Sequence, residues 1–432
     1  MKNNRKIILI ICLILGIGIA GINLIAGAQK GHLAEIEEQQ AARKKALAQI
    51  EAADILGIDP ETVEVPDEVT ITGMDRFFSG LNSKSALLWD LAIDLLIVGA
   101  GGFILGAMKK KKKESGTSKV SSSGNVTGIV IALAALCLNL AIASPVFLTP
   151  SNFLNVFQQI SINFVVAVGM TFVIISGGID LSVGSNIALS GLLMGILMKN
   201  YHVPVIVTIV ACILFSGLIG LVNGMLISFL SLPPFIVTLG TMSIVRGAAY
   251  TVTGGQPIYT FPTGFTAISG RVAGIPLWST LIMLGVFMLG WYILRYTRIG
   301  RFTYAVGGNE NCARLSGINL SKVKCFVYLY SGLCCGVAAL LLSSRLDSAV
   351  PTNADGQEMD AIAAVVIGGT SMSGGEGTLI GTLIGILIIG IIANGLNLLG
   401  VAQGPQKMVK GLIIVIAVVI DVLRRKAAES SK

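Results

Sequence analysis

The chain has 432 residues, of which 53% are hydrophobic and only 12% charged, and its mean hydropathy is +0.82. Soluble globular proteins contain about 25% charged residues, so this composition excludes an ordinary soluble domain and indicates a polytopic membrane protein. The net charge is +8, but the basic residues cluster beside apolar segments, as the positive-inside rule predicts. We therefore expect a lipid membrane around the chain and no nucleic-acid partner.

Two apolar segments near the N-terminus, residues 7–28 and 87–108, are each long enough to span a membrane as a helix. Lysines 109–113 follow the second segment at once and are expected to stay in the cytoplasm. The N-terminus is then cytoplasmic and the loop 29–86 is external. The first segment is interpreted as an uncleaved anchor, although residues 26–28 also resemble a signal-peptide cleavage site.

A polar linker rich in serine and lysine, residues 109–125, separates this two-span module (residues 1–108) from a transmembrane core at residues 126–426. We interpret ten apolar segments of the core as ten crossings, which return the C-terminus to the cytoplasm. They lie at residues 126–145, 162–177, 184–200, 204–228, 234–253, 276–296, 325–345, 360–373, 378–398 and 408–424. The expected fold is all-α, and the short segments 162–177 and 360–373 suggest broken helices.

An internal repeat supports two broken helices. The stretches "VIISGGIDLSVGS" from Val173 and "VVIGGTSMSGGEG" from Val365 share two glycines, a serine and a further glycine at an offset of 191 residues. Paired interruptions in two halves of a membrane protein indicate a transport site. We therefore expect breaks near residues 177–185 and 368–377; the alternative is a pair of ordinary glycine turns.

Glycines also recur at a spacing of four, which puts them on one helix face where two backbones can approach closely. The sets are Gly377, Gly381 and Gly385; Gly191 and Gly195; and Gly220 and Gly224. We expect helix contacts at these faces.

A carboxylate, Asp180, lies within the first break. A charge at the bilayer centre costs about 2.5–3.5 kcal/mol on insertion scales, so Asp180 needs an explanation. It either caps the helix that begins near residue 183, pairs with Arg246, or lies at the cytoplasmic interface. A role in lining the transport pathway is compatible with each of these, and all remain open at this point.

Several further polar residues lie within or beside the apolar segments and are candidates for a hydrated pathway. With Asp180, the set is Ser182, Ser185, Gln159, Asn163, Thr241, Arg246 and Ser373. Most are neutral donors and acceptors, which suit a neutral polyol. The sequence contains only two histidines, and its cysteines lack metal-ligand spacing, so we expect neither a metal site nor catalytic residues.

The loop 297–324 has five basic residues and one acid, which predicts a cytoplasmic position. Within it we predict a helix of about two turns. Gly308 interrupts the preceding structure, Asn309 caps the helix, Glu310 lies in its first turn beside Arg314, and Gly317 ends it. A short exposed helix between two spans suits docking to a soluble subunit.

Five stretches of the core resemble the permease subunit of ATP-binding-cassette (ABC) sugar importers of the ribose, xylose and galactose type. They are "GMTFVIISGGIDLSVGS" (169–185), "PPFIVTLGTMSIVRG" (233–247), "AVGGNENCARLSGIN" (305–319), "DAIAAVVIGGTSMSGGEGTLIGTLIGILIIGIIANGLNLLGV" (360–401) and "MVKGLIIVIAVVIDVLRR" (408–425). The resemblance covers about residues 126–426 and leaves residues 1–125 as an addition.

The resemblance implies a ten-span core in the plasma (inner) membrane of a bacterium, with two permease subunits, most simply a homodimer, around one pathway. It also implies a cytoplasmic ABC ATPase, an extracytoplasmic sugar-binding protein, and a coupling role for residues 305–319. The sequence contains no G-x-x-x-x-G-K-[ST] motif. ATP and Mg²⁺ are therefore expected on the partner ATPase, and this chain is expected to be a transporter subunit rather than an enzyme. The alternative is a self-sufficient secondary carrier for a small polar solute.

Overall fold

The computed structural model describes residues 144–271, 275–401 and 403–429, together with seven isolated positions before residue 142. The predicted N-terminal spans and the linker lie outside the described residues, as does most of the first core segment. Of the described residues, 144–395 and 408–429 belong to one compact unit, and 396–401 and 403–407 belong to another.

The described part of the chain is mostly helical. Its helices are α1 (Pro150–Ile175), α2 (Val183–Lys199), α3 (Val205–Phe229), α4 (Pro234–Thr253), α5 (Thr263–Thr266), α6 (Leu277–Tyr296), α7 (Arg298–Gly308), α8 (Glu310–Leu315), α9 (Leu320–Leu346), α10 (Gln357–Ile367), α11 (Leu379–Leu398) and α12 (Gln403–Glu429). Two strands, β1 (Ile258–Tyr259) and β2 (Ser348–Ala349), form one antiparallel pair. The predicted all-α class is confirmed.

Six of these helices, α1, α3, α4, α6, α9 and α11, are long and apolar enough to cross a membrane. The chain is therefore a multi-pass membrane protein. The predicted ten crossings of the core remain a prediction, because the described part of the chain supplies six such helices and the shorter apolar helix α2. Helix α10 has 11 residues and rises only about 16 Å, so it is too short to cross alone.

The predicted short segment at 162–177 is wrong, because α1 begins twelve residues earlier. Thr149 caps this helix by accepting a hydrogen bond from the Asn152 amide, and Pro150 occupies the first turn, where its missing N–H costs nothing. The first three turns of α1 are rich in polar side chains, which lowered the hydropathy of the window and hid the helix start. The resulting helix has 26 residues, and its apolar C-terminal part is almost completely buried.

The core lies around α1, α2 and α9, whereas α3, α4 and α6 leave most of their surface exposed. Helices α3 and α9 approach so closely that a Cβ on Gly220 would overlap the Tyr328 carbonyl, and one on Gly224 would lie 2.7 Å from the Cys325 Cα. Likewise, a Cβ on Gly336 would lie 2.7 Å from the Ile213 Cα. The predicted contact at this glycine face is confirmed.

Helices α10 and α11 also meet through glycines. A Cβ on Gly381 would overlap the Gly368 carbonyl, and one on Gly385 would overlap the Ala364 carbonyl. The second predicted glycine face is therefore confirmed as well. Its effect is to hold the short helix α10 against the long helix α11 next to the second break.

Candidate functional site

The first helix break joins α1 to α2. Gly177 has a left-handed backbone with φ of +82°, and the Gly178 amide donates to the Val173 carbonyl at 3.0 Å. This is the Schellman pattern of a helix C-terminus. Glycine suits the position because a Cβ is disfavoured at positive φ.

The second break joins α10 to α11 and begins with the same turn. Gly369 has φ of +89°, and the Thr370 amide donates to the Val365 carbonyl at 3.1 Å. Gly177 is therefore structurally equivalent to Gly369. The predicted offset of 191 residues between the two repeats is wrong by one residue at this turn. After this shared turn the breaks differ, because the second one is longer before its next helix begins.

Asp180 is almost completely buried in the first break, with 2% exposure. Its Oδ1 accepts hydrogen bonds from the Ser182 amide at 3.0 Å and from the Ser182 hydroxyl at 2.6 Å. Its Oδ2 accepts from the Ser331 hydroxyl of α9 at 3.0 Å. Asp180 thus fixes the turn that precedes α2 and ties it to α9, but it does not cap α2, whose N-cap residue is Ser182 and has no side-chain capping bond. The alternative of a pair with Arg246 is wrong.

A chain of hydrogen bonds extends from this carboxylate to α4. The Thr241 hydroxyl donates to Asn223 Oδ1 at 2.6 Å, and Asn223 Nδ2 donates to Ser182 Oγ at 3.0 Å. One polar network therefore joins the first break to α3, α4 and α9. Sequence reasoning found Asp180, Ser182 and Thr241 but missed Asn223 and Ser331; an amide inside the apolar run of α3 was the available signal.

Arg246 lies on α4 but contacts the segment that precedes α10. Its Nη1 donates to the Pro351 carbonyl at 2.5 Å and to the Asn353 carbonyl at 2.9 Å. An arginine inside an apolar helix is thus satisfied by backbone carbonyls, which suits its fixed charge. Helix α4 therefore contacts the first break through Thr238, whose hydroxyl donates to the Ile179 carbonyl at 3.2 Å, and the approach to the second break through Arg246.

The remaining pathway candidates lie at three places. Ser185 is buried in the first turn of α2 and donates to the Ser182 carbonyl at 2.8 Å. Asn163 is half-buried on α1 and accepts a long hydrogen bond, 3.4 Å, from Gln357 of α10. Gln159 is half-buried one turn earlier on α1. Ser373 is exposed in the second break. Ser185 therefore joins the Asp180 network through its hydrogen bond to Ser182. Gln159, Asn163 and Ser373 lie outside this network.

The predicted short helix of the loop 297–324 is present as α8. The Asn309 side chain caps it by accepting from the Cys312 amide at 2.9 Å. Gly317, with φ of +80°, ends it, and the Ile318 amide donates back to the Ala313 carbonyl at 3.1 Å. Ala313 is buried, whereas its neighbour Leu315 is 88% exposed. The loop also contains a helix that sequence reasoning missed, α7, which Thr297 caps.

Two charged groups flank the exposed surface of α8. Glu310 forms an ion pair of 2.9 Å with Lys324 at the start of α9 and a longer contact, 3.9 Å, with Arg314. The first pair anchors α8 to the spanning helix α9. Arg314 is two-thirds exposed and, together with Leu315, forms a surface available to a partner.

Helix α7 ends at the helix breaks. The Tyr304 hydroxyl donates to the Gly377 carbonyl at 2.8 Å, and the two breaks are joined by a hydrogen bond of 2.9 Å from the Gly375 amide to the Ile175 carbonyl. The predicted cytoplasmic element and both breaks therefore meet in one place.

The comparisons with known proteins identify the class. Residues 152–418 match the family described as "Branched-chain amino acid transport system / permease component". The ribose import permease protein RbsC of Bacillus subtilis is 45% identical over 304 residues, covering 70% of this chain and 93% of the relative. RbsC of Escherichia coli K12 is 44% identical over 300 residues, covering 68% and 92%. The D-allose transport system permease protein AlsC of E. coli K12 is 39% identical over 281 residues, covering 65% and 86%. No solved structure matches the chain.

The chain belongs to this family of transport permeases. Its resemblance to the permease subunits of ABC sugar importers is confirmed by the relatives. It is accordingly a transporter subunit rather than an enzyme, as the sequence predicted.

Proposed function

We propose that this chain imports a monosaccharide across the plasma (inner) membrane of a bacterium, with its N- and C-termini in the cytoplasm. The observation that carries the proposal is the agreement among relatives, whose names specify ribose and D-allose. Both are neutral sugars rich in hydroxyl groups. The neutral hydroxyls and amides along α1, α3 and α4 match such a substrate, because a hydroxyl-rich solute exchanges hydrogen bonds with groups of this kind.

The pathway is proposed to pass along α4. Asp180, Ser182 and Ser185 are buried and hydrogen-bonded to each other or to neighbouring helices, so they support the pathway wall. Thr241 and Arg246, which are half-buried, are the groups nearer to the solute. Gln159 and Asn163 on α1 and Ser373 in the second break complete the proposed set.

A second copy of the chain is proposed to form the opposite wall. Helix α4 is the least apolar of the six long helices, and one of its faces is exposed and interrupted by Gly240, Ser243, Gly247 and Thr251. Small and polar residues favour contact between helices in lipid, whereas the exposed faces of α3 and α6 are dominated by large apolar side chains. These features support a homodimer with α4 near its centre.

The exposed surface of α8 is proposed to dock a cytoplasmic ABC ATPase. ATP and Mg²⁺ are proposed to bind to this partner. The reason for placing them there is that this sequence lacks a G-x-x-x-x-G-K-[ST] phosphate-binding loop. Gly308, Asn309, Glu310, Arg314 and Gly317 shape the docking surface, and Leu315 adds an exposed apolar group. Apolar and arginine side chains are frequent anchors of protein interfaces. An extracytoplasmic binding protein is proposed to deliver the sugar from the other side.

The test is uptake by the complete transporter in proteoliposomes, comparing ribose with D-allose, galactose and xylose. We expect sugar-dependent, ATP-driven uptake that Arg314→Glu lowers at least about tenfold, since unfavourable charge at an interface costs more than 1 kcal/mol. Lys322→Glu is the matched control, because it makes the same charge change at an exposed site outside α8. Undiminished uptake by Arg314→Glu refutes docking at α8. Ion-driven uptake by the permease alone refutes the ABC mechanism.

A further inference from the structure

The end of α7 contacts both helix breaks through main-chain atoms. A Cβ on Gly307 would overlap the carbonyl oxygen of Ile175, the last residue of α1, and would lie 2.6 Å from the Gly375 amide nitrogen. Real Cβ atoms essentially never approach other atoms within 3.0 Å. The helical backbone of Gly307 accepts any residue, so only the available space requires glycine here.

The contact is reciprocal. A Cβ on Gly374 would lie 2.8 Å from the Gly307 carbonyl oxygen and 2.9 Å from the Gly177 amide nitrogen. A Cβ on Gly375 would lie 2.7 Å from the Gly308 Cα. Three segments that are far apart in sequence therefore touch without intervening side chains. We call the contact of Gly177, Gly307, Gly374 and Gly375 the glycine junction.

Direct contact between backbones matters for the transmission of movement. A side chain between two helices can absorb a small shift by changing its rotamer, whereas packed backbones have no such freedom and must move together. Helix α8 begins two residues after α7 ends, with Asn309 as the only residue between them. A displacement of α8 therefore reaches the glycine junction directly, because Gly307 lies at the end of α7 next to α8.

We propose that Gly307 is a positioning residue that links movement of the docked ATPase to both helix breaks at once. The inference rests on the proposed docking of the ATPase at α8. Both breaks then shift as one unit, because the Gly375 amide is hydrogen-bonded to the Ile175 carbonyl in the same junction. The hydrogen bond from Tyr304 to Gly377 provides a second link from α7 to the second break.

The experiment measures sugar transported per ATP hydrolysed by the assembled transporter in proteoliposomes. We expect Gly307→Ala to retain ATPase binding and hydrolysis but to lower this ratio about tenfold, a typical magnitude for loss of coupling between two sites. The matched control is Gly285→Ala on α6, where a Cβ meets nothing within 4 Å. A purely structural defect lowers the amount of assembled complex but leaves the ratio unchanged.

A second variant keeps the test informative if Gly307→Ala does not assemble. Tyr304→Phe removes only the hydroxyl that contacts Gly377, and we expect it to assemble normally with a ratio reduced about fivefold, at the lower end of coupling effects. A wild-type ratio in every variant that assembles overturns the inference. If Arg314→Glu leaves ATPase binding intact, the docking proposal itself fails. If Arg314→Glu abolishes ATPase binding while Gly307→Ala and Tyr304→Phe keep the wild-type ratio, docking at α8 stands and only the coupling role of the glycine junction is refuted.

Discussion

Asp180 shows how a single carboxylate is accommodated in a membrane protein. Three donors from Ser182 and Ser331 surround it, and hydrogen bonds to a charged acceptor are stronger than those between neutral groups. Its position at the entry to α2 adds the favourable interaction of a negative charge with a helix N-terminus. The carboxylate therefore pins the break to α9.

Substitution of Asp180 separates this structural role from a requirement for charge. Asp180→Ala leaves buried donors of Ser182 and Ser331 unpaired, so we expect a loss of about 1–3 kcal/mol in the free energy of unfolding. Asp180→Asn retains an acceptor oxygen and should lose less. Thermal unfolding of the purified permease measures both effects. If the asparagine variant is as stable as the wild type but transports nothing, the charge itself is needed for transport.

At the scale of elements, the glycine face between α3 and α9 determines how the core packs. A Cβ on Gly220 would overlap the Tyr328 carbonyl, and a Cβ on Gly332 of α9 would lie 3.0 Å from the Gly217 Cα. Packing rather than water-driven burial holds helices together in lipid, so loss of this close approach removes stability directly.

We expect Gly220→Ala to reduce the free energy of unfolding by about 1–3 kcal/mol, because an added methyl group in a packed contact forces the backbones apart. Gly285→Ala is the control, since its Cβ points into open space and alanine favours the helix. Thermal unfolding in detergent compares the two variants. Equal stability of both would mean that α3 and α9 have room to separate.

At the scale of the whole molecule, the region that matches the permease family follows an N-terminal region outside the match. The family match begins at residue 152, so residues 1–125 lie outside it. This start is the basis for the proposal that residues 1–108 form a separate two-span module and that 109–125 form its linker.

Deletion of residues 1–118 tests this division. We expect the shortened chain, expressed with a new initiator methionine, to bind the ATPase and to import sugar at the full-length rate. The reason is that the helices that form both breaks and the docking surface lie after residue 149. Measurements are co-purification with the ATPase and uptake in proteoliposomes. Loss of ATPase binding would assign the N-terminal region to the core.

The sequence by itself determined the membrane class, the permease family, the breaks near Asp180 and Ser373, and the capping of α8. These features depend on composition and on neighbouring residues. For example, asparagine is a typical residue at a helix start and glycine at a helix end, and Asn309 and Gly317 delimit α8 in this way. It mispredicted the start of α1, where polar residues diluted the apolar signal, and missed α7, whose apolar face is too short to stand out.

The tertiary structure alone decided what the polar and glycine residues contact. Asp180 and Ser331 are 151 residues apart, and Gly307 reaches Ile175 and Gly375 from a separate loop. Such contacts depend on the relative placement of helices that are distant in sequence, which local patterns do not encode. For the same reason, Arg246 was a reasonable partner for Asp180 by charge, yet helix packing directs it to backbone carbonyls instead.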